Sequence, residues 1–342
     1  MKLNIHNTLL AASALIIAAS TSSCRKDLCY NHFPEAGVTL SYENEWERDY
    51  GMGWLSGWDA DLYGSTYDNL RPGNPEGVTM VAYHPDGITE FYMSTAGGNV
   101  SFGASVHSLL FYNNDTQYII LNDMASLPSA RATSTSRSRA TLGELHAGER
   151  TINPPDVLYA AYSPEVPELK MHENVPLPVR LQPLVYTYVI RYEFDYGQQH
   201  VALARGAVAG MAESVYMRDG VTSDEAATIL YDCTLTPYGA RAEVASFGVP
   251  GFPDEYYGRD ESSRRDTPRP YTLNLEVKLT NGTLKSFTFD ITDQMQRQPR
   301  GGVIVVKDIR IEDDENLSDS GFDVDLEDWG LLEDIIIPVH PV

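Results

Sequence analysis

Cys24 carries the most defined chemistry in the chain. It follows Ser20-Thr21-Ser22-Ser23, an apolar run from Leu9 to Ala19, and a start that holds Lys2. A basic start, a short apolar run and small residues before a cleavage point make residues 1–23 a secretory signal peptide. The run is too short to span a bilayer, which takes about 20 apolar residues. A cysteine directly after the small residues is the lipobox arrangement, in which the thiol is acylated and the cysteine becomes the mature N-terminus. Thr21 stands where Leu is usual. Two or three acyl chains hold a protein on a membrane, whereas one holds it marginally. The expectation is membrane attachment through lipid at Cys24. Two further cysteines, Cys29 and Cys233, complete the set of three. An exported chain meets an oxidising compartment, so they are the candidate disulfide, set against two unpaired thiols.

The second stretch with chemical potential lies between residues 43 and 77. Trp46, Tyr50, Trp54, Trp58, Tyr63 and Tyr67 alternate there with Asp49, Asp59, Asp61 and Asp68. Flat rings beside carboxylates suit a sugar-binding surface, with Trp54 and Trp58 as the stacking pair. The competing expectation is that the rings lid the core of the first domain, since buried aromatics are the commoner case. A third stretch, Ser126 to Arg150, holds Arg131, Arg137, Arg139 and Arg150 among small polar residues. It reads as a mobile loop, either plainly solvated or open to an Arg-specific protease.

Other chemistries find no support. There is no Gly-x-Ser-x-Gly elbow, no His-Glu-x-x-His pair and no phosphate-cradling glycine loop. The eight histidines lack metal-ligand spacing. Asn316 to Glu327 is a poor calcium loop, with Asn where Asp should open it and two hydroxyls at ligand positions, so a solvated acidic loop accounts for it better. No catalytic residue, metal or cofactor is expected. A net charge of −23 repels phosphate backbones, which argues against nucleic-acid binding, and repels anionic lipid, which leaves the acyl group as the membrane contact.

These residues must be positioned by strands. Tyr, at 21 residues, combines with Val, Ile, Thr and Phe to favour β structure. Short strands are predicted at 38–42, 78–84, 88–93, 108–112, 117–121 and 156–162, with Pro85-Asp86-Gly87 as a turn. The proline-rich stretch from Pro164 to Pro183 marks a boundary between domains at 24–165 and 166–342. Beyond it Leu184, Tyr186, Tyr188, Ile190, Tyr192 and Phe194 occupy every second position of a long half-buried strand. Strands are also expected over 201–211 and 228–235. Around Asn281-Gly282 a two-residue loop would set Leu275 against Thr288. A three-residue loop sets Leu275 against Phe287 and Leu273 against Phe289, so the three-residue loop is expected. Leu331 to Val339 is apolar and β-branched, and Pro338 restricts it to an edge or donated strand.

Several of these features are similar to one family. Cys24-Arg-Lys-Asp-Leu-Cys29, the Tyr83-to-Gly87 turn, the Leu-Leu-Phe-Tyr-Asn-Asn run ending at Asn114, and Gly210-Met211-Ala212 before Ser214-Val215-Tyr216 resemble pilus-anchor lipoproteins of the fimbrillin superfamily. The nearest relatives by these motifs are a domain family of unknown function. The resemblance implies an all-β chain of two tandem transthyretin-like antiparallel sandwiches. It implies a non-catalytic role as anchor or accessory subunit of a surface fibre, lipid-anchored in the outer membrane, with pilus subunits as partners by strand addition. The alternative is a surface glycan-binding lipoprotein using the Trp46–Tyr67 stretch. A hydrolase with unassigned carboxylates is the weakest of the three.

Overall fold

The structure is a computed structural model and describes residues 34–47, 53–140, 142–170, 173–253, 269–316 and 333–335. It is mostly β. A seven-stranded sheet contains β1 (Glu35–Tyr42), β2 (Val78–His84), β3 (Gly87–Met93), β4 (Gly97–Val100), β5 (Ser108–Asn113), β10 (Tyr159–Ser163) and β11 (Asn174–Pro183) in the order β3-β2-β5-β10-β11-β1-β4. A three-stranded sheet holds β6 (Ile119–Asn122), β7 (Arg131–Ser134) and β14 (Ser214–Tyr216). The ten-stranded sheet is built from β8 (Ser136–Ser138), β9 (Arg150–Ile152), β12 (Tyr186–Tyr196), β13 (Val201–Ala212), β15 (Ala226–Thr236), β16 (Gly239–Ser246), β17 (Thr272–Leu279), β18 (Leu284–Asp290), β19 (Gly302–Arg310) and β20 (Glu333–Ile335). Its main path runs β18-β17-β13-β15-β16-β12-β19, with β9, β8 and β20 added in turn from β15.

Both large sheets curl around their own cores. Every strand of the seven-stranded sheet contributes to one cluster that includes Val38, Met80, Leu109, Phe111, Tyr159 and Leu181. Along the main path of the ten-stranded sheet, alternate residues such as Tyr188, Ile190 and Tyr192 point into a second cluster with Val208, Ile229, Leu275 and Ile304. A period of two on each strand with all inward positions apolar is what a curled, barrel-like sheet requires. In this second core the Tyr192 and Tyr231 hydroxyls bond to each other at 2.7 Å, which lets two tyrosines be buried without orphaned oxygens. Gly206 makes room for the pair, because a Cβ there would lie 2.3 Å from the Tyr231 ring. A third cluster, with Val81, Leu110, Leu184, Ala212 and Phe247, joins the outer face of the first sheet to the second half of the chain.

The predicted hairpin register holds. Leu275 pairs with Phe287 and Leu273 with Phe289. Gly282 takes φ +88°, as the bulge of a three-residue loop demands. The pairing is not wholly antiparallel, however. β1 runs parallel to β11, β12 to β19, and β9 to β15. β11 forms within the proline-rich stretch, beyond the expected boundary at 165/166, but lies in the first sheet, while β8 and β9 precede that boundary and lie in the second.

Ser126 to Arg150, expected as a mobile solvated loop, is instead woven into the fold as β7, β8 and β9. Arg137 and Arg139 are buried. Arg205 of β13 lies opposite Glu276 of β17, and Arg139 reaches the same carboxylate. In sequence the arginines look solvated because their partners sit far away along the chain. Arg137 pairs with Asp232, and Arg139 and Arg205 share the one carboxylate of Glu276, which gives each guanidinium the opposite charge that burial requires.

Candidate functional site

The aromatic stretch forms the most developed surface feature. Two short helices, α1 (Trp54–Gly57) and α2 (Ala60–Tyr63), present the rings. Asp59 caps α2 by accepting from Leu62 N at 2.9 Å, and Gly64 ends it in the left-handed region. Trp58 sits at the centre of the cluster. Its ring lies 5.2 Å from Trp46, 4.4 Å from Tyr63, 5.7 Å from Tyr67 and 6.5 Å from Trp54, mostly edge to face. Its indole N–H donates to Ser65 O at 2.7 Å. The cluster packs on Val189 and Val303. It therefore lids the outer face of β12 and β19 in the second sheet, and not the core of the first, as the sequence had suggested. Trp54 and Trp58 are both half-buried, and their rings meet edge to face and not side by side.

Three carboxylates and an arginine close the base of the cluster. The Tyr67 hydroxyl donates to Glu47 at 2.7 Å, and Arg71 pairs with Glu45 at 2.5 Å and Asp68 at 3.0 Å. Burial, then the Glu47 hydrogen bond, holds the Tyr67 phenol above its usual range. Burial also raises Tyr63, with Arg191 opposing and Asp59 adding. Arg241 Nε donates to Tyr63 O at 2.6 Å, fixing α2 to β16.

Beside the cluster runs a groove of about 260 Å³. Trp54 and Tyr63 form one wall, Val303 and Val305 the floor, and the helix α3 (Thr292–Arg297) supplies Asp293, Gln294 and Arg297 on the other side. Gln294 and Gln298 have a specific task. The Gln294 amide accepts from Val305 N and donates to Val305 O, both at 2.9 Å. The Gln298 amide does the same for Val303, at 2.5 and 2.9 Å. The two side chains thus satisfy the outer edge of β19 where a further strand would pair. Asp293 and Arg297 are exposed, and among the described residues neither makes a hydrogen bond or ion pair. Trp54 Nε1 is buried and meets no acceptor among the described residues. The sequence reading missed this opposite side of the groove. The only signal was the helical spacing of Asp293 and Arg297, 230 or more positions beyond the rings.

The other predicted sites fall as follows. Cys24 and Cys29 lie outside the described residues. Cys233 is on β15 against the second core, where burial pushes its thiol well up. Residues 317–327 of the calcium-loop candidate also lie outside, and no group of three metal-ligating side chains occurs among the described residues. Of Leu331–Val339, residues 333–335 form β20 and pair with β8 of the same chain.

Residues 68–232 match a family model described as a domain of unknown function, DUF5119. No curated protein matches the chain in sequence. Among solved structures, the chain is similar to a "putative adhesin" from Bacteroides ovatus at 19% identity, with a TM-score of 0.56, covering 82% of this chain and 93% of that one. A second "putative adhesin" from the same species gives 10% identity and a TM-score of 0.44 over 80% and 88%. The fimbrial anchor protein Mfa2 from Porphyromonas gingivalis gives 11% and 0.40 over 80% and 90%. The first likeness shows that the chain has the fold of the B. ovatus protein. The match to a domain family of unknown function agrees with the resemblance drawn from the N-terminal and turn motifs.

Proposed function

We propose that this is an exported surface lipoprotein, held in the outer membrane by lipid on Cys24, that serves as a non-catalytic anchor or accessory subunit of a fimbrillin-type adhesion fibre. The observation that carries the reading is the shared fold with the Bacteroides ovatus adhesin-type structure across nearly the whole of that chain. The proposal includes two tandem transthyretin-like sandwich units, residues 24–165 and 166–342, that exchange strands: β11 returns to the first and β8 and β9 cross to the second. It also includes a Cys29–Cys233 bond tying the N-terminal tether to β15, which thiol counting with and without reductant tests.

Association with fibre subunits would use strand addition, in which main-chain hydrogen bonds bind an extended segment along a sheet edge. β20 occupies such an edge on β8 through only three residue pairs, which makes it the exchangeable element. The test is deletion of residues 331–342 in the lipidated protein. Loss of co-purification with fibre subunits at an unchanged melting temperature supports the reading. A melting temperature that falls steeply assigns the segment to the protein's own fold instead. Separately, Cys24→Ala is expected to release the protein from membranes, and retention at high salt would refute the lipid assignment.

A second reading, glycan binding through the Trp46–Tyr67 stretch, is favoured by the groove beside Trp54.

A further inference from the structure

We infer that the groove between α1–α2 and α3 is a binding site for a neutral pyranose unit of a polysaccharide, with Trp54 and Tyr63 as the apolar wall and Asp293 and Arg297 as the polar one. This deepens the glycan-binding reading and rests on it. It does not depend on the fibre reading.

The chemistry on the two sides is complementary to a sugar ring. A pyranose has faces of C–H bonds and a rim of hydroxyls. Trp54 and Tyr63 supply aromatic surface, and an aromatic face attracts the weakly positive C–H groups of a sugar through its negative π-cloud. Asp293 accepts hydrogen bonds only and Arg297 donates only. They stand four positions apart on α3, one helical turn, so both project toward the same side. A vicinal diol, with one hydroxyl donating and the other accepting, satisfies the pair. Neither side chain is engaged elsewhere among the described residues, whereas most charges on the second half of the chain are.

The competing occupants fit less well. An extended peptide would bind by pairing with the edge of β19, but Gln294 and Gln298 already fill the hydrogen-bonding positions of Val303 and Val305. A cavity of about 260 Å³ is too small for a helix, whose diameter with side chains is about 10–12 Å. A polyanionic glycan meets a chain of net charge −23, which disfavours its approach. A neutral ring of one or two sugar units remains.

The experiment is native affinity electrophoresis of the intact mature protein in gels that each contain one soluble polysaccharide: pullulan, galactomannan, xyloglucan, mixed-linkage β-glucan or, as the polyanionic contrast, polygalacturonate. Retardation by at least one neutral polymer is expected. Trp54→Ala should weaken it about tenfold, as loss of an aromatic contact does. Arg297→Ala and Asp293→Ala should weaken it several-fold. These two exposed positions on α3 leave the aromatic packing untouched, so a folding defect in Trp54→Ala does not decide the matter. Leu55→Ala, exposed on α1 but outside the groove, should bind like the parent protein. No retardation by any polymer overturns both this site and the glycan reading and leaves the fibre reading standing. Retardation of the parent that survives Trp54→Ala, Asp293→Ala and Arg297→Ala keeps the glycan reading and removes the site. Retardation by polygalacturonate alone overturns the neutral class.

Discussion

Two stretches that look alike in sequence, Trp46 to Tyr67 and Ser126 to Arg150, end up held by opposite physics. Both are irregular, polar and glycine-containing. Both cover an outer face of the ten-stranded sheet. The first does so with rings: Trp46, Trp58 and Tyr67 pack edge to face over Val189 and Val303. The second does so with charges. Arg205 Nε lies 2.9 Å and Arg139 Nη1 3.5 Å from Glu276 Oε2. Arg137 donates to Leu230 O at 2.8 Å and pairs with Asp232 at 3.1 Å. Glu149 accepts from Thr228 at 2.8 Å and Gly210 N at 3.1 Å. His146 bridges Glu149 and Thr272, at 2.8 Å each. Burial and the like charge of Arg205 push Arg139 down to about 10, with Glu276 opposing, so it stays charged at neutral pH. The lesson is that apolar contact lets a covering segment keep a loose margin, where a groove can form. A charged cover needs partners for its charges, because every unmatched group is costly. Among the described residues, only Nε of Arg137 and of Arg139 in this segment's buried guanidiniums is left without one.

The largest expected effect follows from that asymmetry. Glu276→Ala removes the carboxylate that two buried guanidiniums share, and breaking such a set costs about 3–5 kcal/mol. Replacing Arg139, Arg205 and Glu276 together by apolar residues of similar volume should cost far less, since desolvation then no longer has to be offset. Chemical denaturation of the single and triple variants measures both. A triple variant as unstable as Glu276→Ala would show that the cluster contributes packing and not charge balance.

Trp46→Ala is the matching test on the aromatic side. Trp46 is almost fully buried, and deleting a buried Trp costs about 3–5 kcal/mol. Trp54→Ala, at the half-buried margin, should cost well under half as much. Melting temperatures of the two variants decide it. Equal losses would mean that the stretch is a single rigid unit with no loose margin.

Proteolysis sharpens the contrast further. Arg137 lies in β8 and Arg139 one residue past its end, and both side chains are buried. An Arg-specific protease should therefore leave the bonds after them intact in the native protein and cut them only when the segment opens. Glu276→Ala should expose them. Limited digestion read by mass spectrometry tests this, and rapid native cleavage after Arg139 would contradict the buried strap.

How much of this was legible in the sequence depends on the distance over which the deciding contacts act. The hairpin at Asn281-Gly282 was readable to the residue, because register is set by local alternation and by a turn glycine. The strand around Tyr188 was readable from period two, and the one around Met80 from a short apolar run ended by the Pro85-Asp86-Gly87 turn. The arginine stretch was not, because Arg139 finds its partners at residues 206, 231 and 276. One trace was present: Arg205 interrupts an otherwise apolar strand, and Glu276 carries the opposite charge on a polar row with Asn274 and Lys278. The groove was half legible. Its rings stand together in sequence, while Asp293, Gln294 and Arg297 reach it only because β12 and β19 run side by side. The crossing of β8, β9 and β11 between sheets left no local mark, since strand exchange alters partners without altering alternation.

The smallest effect is expected at Asp59, and it distinguishes a locally held margin from a globally held one. Its carboxylate accepts from Leu62 N at the first turn of α2, and the helix has only four residues. Removing an N-cap acceptor costs about 1 kcal/mol in a typical helix. Here the helix is fixed at its other end as well, by Arg241 on Tyr63 O and by the packing of Tyr63 on Trp58. Asp59→Ala should therefore shift the melting temperature little while letting the start of α2 fray. Hydrogen exchange should show faster exchange of the 61–64 amides and unchanged protection in β12 and β19. Binding in the groove should weaken only modestly, because Tyr63 keeps its anchor. Faster exchange that spread into β19 would instead show that the cap, the rings and the sheet edge open as one cooperative unit, and the aromatic cover would then be as tightly coupled as the charged one.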